Sequence, residues 1–145
     1  MDYPTVVIVL LGILVAIGGV VYRRFRAKGI PTISDEEFLS AFVARHKVSA
    51  SREAILKERR SIARMLGVPF EKLAPEQTAE FLSARFDFIG DFSIGWNNLY
   101  DEAVEAREAA GLDRRDVCPT TVGEFLEDIL LPRKDRSGRS QVSKH

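Results

Sequence analysis

The chain has a single cysteine, Cys118, so no disulfide can form within it. With only two histidines besides, His46 and His145, it has no zinc-ligand spacing. The phosphate-cradling glycine loop is missing too. Nucleophilic hydrolysis needs a nucleophile beside a base, and the histidines fall at a helix end and in the tail, so catalysis by the chain itself is not expected. Cys118 stands before Pro119 in a loop and reads as an inert small side chain, a reactive thiol being the alternative.

Charge is what residues 5–22, TVVIVLLGILVAIGGVVY, lack altogether. As a helix they reach about 27 Å, close to the hydrocarbon thickness of a bilayer. A cleaved secretory signal would need a basic segment before the run and small residues at its end. Asp2 precedes this run, and Tyr22, Arg23, Arg24, Arg26 and Lys28 close it, which predicts a retained single-pass anchor. No Lys or Arg precedes the span, so the positive-inside bias places the C-terminal side in the cytoplasm.

The 21 basic and 21 acidic residues cancel over the whole chain, but not locally. Residues 29–132 hold 12 basic and 19 acidic side chains, a net of −7, between two basic ends. The first basic run either holds to anionic lipid, at about 1 kcal/mol per residue, or serves only as a topology signal. An acidic domain argues against nucleic acid as a partner.

Beyond the span the pattern is helical, and no strand is needed. Ser34 and Glu37 have capping-box spacing ahead of an apolar stripe of Phe38, Leu39, Phe42 and Val43, predicting a short helix to about His46. Residues 51–66 repeat Ile55, Ile62 and Leu66 on one face, with Gly67 placed as a left-handed cap. VPFEKLAPEQT reads as a loop, and a helical turn or two beginning at Pro75 is open for residues 75–87. Gly90 and Gly95 interrupt the pattern. A further helix is predicted from Trp96 to Gly111, and a last one from the Thr121/Glu124 capping box to Pro132. The polar tail, residues 133–145, reads as disordered.

The order LGVPFEKLAPEQ, then Ser93 in a glycine-bearing turn, then an acidic helix, then TTVGEFLEDI resembles the acyl carrier protein family over roughly residues 51–131. In that family a serine opening the second helix lies in a Gly-x-Asp-Ser-Leu type motif, and Gly90-Asp91-Phe92-Ser93-Ile94 occupies that place. The 28 residues from Ser93 to Thr121 suit the family's spacing, while the stretch from Pro75 to Ser93 is several residues longer than usual. The motif aspartate is replaced by Phe92, and the nearest aspartate is Asp91.

With the apolar span and the helical pattern read above, the resemblance gives an all-α chain, an N-terminal transmembrane helix followed by a small acyl-carrier-like bundle. The chain divides into residues 1–28 as anchor and basic flank, 29–50 as linker and short helix, 51–132 as the carrier-like domain, and 133–145 as the tail. The resemblance further implies that a phosphopantetheinyl transferase attaches 4'-phosphopantetheine to Ser93, with Asp91 nearby, for use by cytoplasmic acyl-transfer enzymes. A helix N-terminus suits the attached phosphodiester. The same position also suits a plain serine N-cap, worth about 1 kcal/mol. Asp101, Glu102, Glu105 and Glu108 share or border one helical face. By the resemblance that face docks basic partners, and otherwise it is an ordinary solvated surface. Without attachment, the chain is a degenerate carrier fold acting as a non-covalent docking module.

Overall fold

The computed structural model describes residues 3–115 and 117–132, and within them it is all-helical. The order is α1 (Tyr3–Ala27), α2 (Asp35–Arg45), α3 (Arg52–Leu66), a 3-10 turn (Phe70–Lys72), α4 (Ala79–Phe86), α5 (Asp91–Ala109) and α6 (Val122–Ile129). The expected tail, residues 133–145, lies outside the described residues.

Local chemistry sets most boundaries. Ser34 and Glu37 close a reciprocal capping box on α2, and Thr121 and Glu124 do so on α6. Ser51 caps α3 through the Ala54 N–H, and Gly67, at φ 66°, ends it. Two helix starts and one core assignment differ from the sequence expectation. α4 starts after Thr78, whose hydroxyl accepts the Phe81 N–H, rather than at Pro75. Residues 74–77 are instead tied into a turn, the Gln77 carboxamide accepting from Ala74 N–H and donating to the Lys72 carbonyl. α5 starts at Asp91, five residues before Trp96, and runs straight through Gly95. Val43, assigned to the apolar stripe of α2, is exposed, while Phe38, Leu39 and Phe42 are buried.

The reason α5 tolerates Gly95 is packing. A Cβ there would overlap the Met65 carbonyl oxygen and stand 3.1 Å from its carbon, so α3 and α5 meet backbone to backbone at this point. Around the contact Ile62, Leu66, Phe92, Leu99, Phe125 and Leu126 form the centre of the core. The starts of α4 and α6 lie side by side, linked by an isolated antiparallel bridge between Thr78 and Thr121.

Arg59 of α3 is fully buried. Its guanidinium donates to Asp35 Oδ1 at 2.8 Å and to the Ile33 and Leu73 carbonyls, and it lies 4.4 Å from the Phe38 ring centroid. Desolvation, opposed by the Asp35 charge, lowers its pKa, yet the bonds it donates are those of a cation. This one side chain ties the linker, the start of α2 and the 3-10 turn to α3.

α1 is long and apolar enough to cross a membrane, with a mean hydropathy of 2.7 over its most apolar window. Its C-terminal turns are docked on the bundle. Gly19 and Ala27 are buried, Arg23 pairs with Asp91, and Arg26 donates to the Ala84 carbonyl. The chain after α1 is held as well: Ile30 is buried, and Lys72 Nζ donates to its carbonyl at 2.7 Å.

Candidate functional site

Ser93 is the third residue of α5, with its side chain exposed. It is not the N-cap. Gly90 holds that position at φ 77°, without a side-chain cap. The capping duty passes to Asp87, whose Oδ1 accepts the Phe92 N–H at 3.2 Å, while Asp91 Oδ1 accepts the Phe88 N–H of the preceding turn at 3.1 Å. Since aspartate does the capping, the Ser93 hydroxyl is left facing outward in the first turn, where the helix dipole favours negative charge.

Beside Ser93, α4 and α5 diverge to leave a groove of about 190 Å³, lined by Ala79, Glu80, Ser83, Phe92, Trp96 and Asn97 as well as Ser93 itself. Its floor is aromatic. Phe92 stacks on Trp96 at 5.8 Å, and Trp96 meets Phe125 edge-on at 4.9 Å. Phe92, which occupies the place of the carrier-motif aspartate, is 2% exposed and belongs to the core. Asp91 is drawn away from Ser93 by its bonds to Arg23 and to the Phe88 N–H.

Asp101, Glu102, Glu105 and Glu108 are all exposed on α5. Glu108 faces Arg114 at 3.4 Å, while Asp101, Glu102 and Glu105 form no ion pair among the described residues. Partial burial, followed by the Glu58 and Glu105 charges, raises the Glu102 carboxyl above its ordinary value. Arg107, the cation of the last turn, is committed elsewhere: it bonds buried Asp128 at 2.9 Å and the Asp113 carbonyl. Arg115 also pairs with Asp128, at 2.8 Å, so two guanidiniums offset the charge of that buried carboxylate, both donating to its Oδ1.

The remaining reactive side chains are not assembled around Ser93. His46 pairs with Glu127 at 3.0 Å and stacks on Phe42, joining α2 to α6. Cys118 is exposed, in the loop before α6. Sequence reasoning missed Arg59, Asp128 and the Arg23–Asp91 pair. Each joins residues far apart in the chain, and no periodicity signals such a pairing. Comparison with known proteins finds no matching family model, no matching curated protein and no matching solved structure.

Proposed function

We propose that the chain is a membrane-tethered presentation module, anchored by α1 with its bundle in the cytoplasm, and that Ser93 is an attachment point for 4'-phosphopantetheine. The observation that carries this reading is the outward-facing Ser93 hydroxyl in the first turn of the longest helix of the bundle, beside an aromatic-floored groove. A phosphodiester there meets the positive end of the α5 dipole. The terminal thiol of the arm would hold an acyl group as a thioester for cytoplasmic acyl-transfer enzymes, the chain itself performing no catalysis. Tethering raises the local concentration of such cargo for membrane-bound partners.

A second reading is favoured by buried Phe92 and by the engagement of Asp91 with Arg23. In it the carrier-like bundle bears no arm, and the acidic face of α5 docks a basic partner directly. One experiment separates the two. Full-length protein in detergent is incubated with coenzyme A and a broad-specificity phosphopantetheinyl transferase, and its intact mass is compared with that of Ser93→Ala. A gain of one phosphopantetheine, lost in the variant, supports the carrier. No gain on folded protein removes it and leaves the docking module.

A further inference from the structure

The corner between α4 and α5 carries three large apolar side chains that the bundle does not cover. Phe88 lies on α1 instead: a Cβ on Gly19 would stand 3.1 Å from its ring, and the ring centroid is 5.5 Å from that of Tyr22. Ile89 is 76% exposed and Ile94 is 65% exposed. Together with Val15, Ala16 and Val20 they line a groove of about 310 Å³ beside α1.

Height along α1 decides what medium surrounds this corner. Tyr22 is the last residue of the apolar run, and at about 1.5 Å per residue Gly19 lies about 4.5 Å inside it and Val15 about 10 Å inside it. The corner therefore stands level with residues that a membrane span places in lipid. Its polar groups are arranged accordingly. Asp91 pairs with Arg23 and accepts the Phe88 N–H, and Asp87 accepts the Phe92 N–H, so both carboxylates of the corner are engaged, and the Ser93 hydroxyl is exposed beside them.

Ile89 adds an independent mark. Its φ is 60°, a left-handed conformation that glycine or asparagine adopts readily and a β-branched residue does not. A turn meant for water has no use for isoleucine there, whereas a turn meant for lipid gains apolar surface at its outermost point.

We propose that Phe88, Ile89 and Ile94 are buried in the bilayer leaflet on the basic side of α1, with acyl chains filling the groove beside Val15 and the Arg23–Asp91 pair at headgroup level. The inference rests on α1 crossing the membrane and holds whether or not Ser93 carries an arm. It places Ser93 at the membrane surface.

The test uses full-length Cys118→Ser protein carrying one new cysteine, Ile89→Cys, Ile94→Cys, Leu10→Cys or Glu105→Cys, each labelled with a nitrobenzoxadiazole fluorophore. Each is reconstituted in phosphatidylcholine and phosphatidylglycerol vesicles with or without brominated acyl chains. Labels at positions 89 and 94 are expected to emit to the blue of the label at 105, and to lose emission to brominated lipid much as the label at 10 does. If only the label at 10 is quenched, the span stands and the buried corner is overturned. If the label at 10 is not quenched either, both fall together.

Discussion

Gly95→Ala tests the contact on which the bundle is built. In an unobstructed helix interior this change gains about 1 kcal/mol, because alanine is the better helix former. Here the added methyl would overlap the Met65 carbonyl oxygen and stand 3.1 Å and 3.4 Å from Met65 C and Leu66 Cα, all backbone atoms of α3. Backbone cannot rotate aside as a side chain can, so α3 and α5 must separate and loosen Ile62, Leu66 and Leu99 around the contact. Overpacking of this kind costs about 1–3 kcal/mol, sometimes more, and an obstacle made of helix backbone belongs at the upper end. After the propensity gain, a net loss of about 2 kcal/mol remains, lowering the melting temperature by roughly 10 °C in a domain of this size. Trp96, the only tryptophan, stacks on Phe92, meets Phe125 edge-on and reports the core directly, so its fluorescence can follow the melt. Gly12→Ala is the control, because nothing lies within 4 Å of a Cβ at that position. A Gly95→Ala protein that melts with or above the parent would refute the backbone contact between α3 and α5.

Arg59→Met keeps the volume of the buried side chain but leaves the Ile33 and Leu73 carbonyls without their donor and leaves Asp35 to Arg60 alone, so a loss of about 3 kcal/mol is expected in urea denaturation. An unchanged midpoint would mean that the guanidinium is not the tie it is drawn to be. Glu124→Gln tests the capping box of α6 through pH. Desolvation acts to raise the Glu124 carboxyl, but the Thr120 and Thr121 N–H groups and the Thr120 hydroxyl outweigh it and hold the carboxyl below its ordinary value. A lowered folded-state value stabilises fully above the unfolded-state value and is lost as pH falls through the folded one. The variant should therefore be less stable by about 0.5 kcal/mol at neutral pH, with melts that converge in acid. A gap that persists in acid would assign the effect to shape rather than charge.

The fold was legible wherever one stretch of chain settles its own conformation. Ser34 with Glu37, Gly67, and Thr121 with Glu124 are caps whose partners lie within a turn, and each stands where the spacing put it. The expectation failed where a distant partner decides. Gly95 breaks a helix by propensity, but a glycine is what the approach of Met65 requires, so the residue that suggested a break marks a helix crossing. Ser93 resembled an N-cap because serine caps helices, yet Asp87, six residues earlier, supplies an oxygen to the first turn and frees the hydroxyl. Of the candidate site, the acidic face was readable from spacing, whereas the exposure of Ser93 was not, since it depends on an N-cap at Gly90. The groove beside Ser93 depends on α4, whose cap at Thr78 sits opposite Thr121 and is fixed by α6.

The two ends of α5 make different demands on a partner. Its first turn carries Ser93, beside the corner proposed to lie in lipid, while Asp101 to Glu108 lie about 12–22 Å further along the helix axis. Acidic side chains in the second half of a helix work against its dipole. Since Arg107 turns to Asp128 rather than to them, this face does not owe its charge to the stability of α5. An anionic leaflet that attracts Arg24 and Lys28 repels such a face, which keeps it available to solution. On the proposed reading, an enzyme that loads Ser93 works at the membrane surface, and one that also uses the acidic face spans the distance between them. A basic partner of the acidic face alone needs no contact with lipid. Binding of such a partner should survive Ser93→Ala and weaken with salt, whereas loading of Ser93 should depend on the membrane or its mimic.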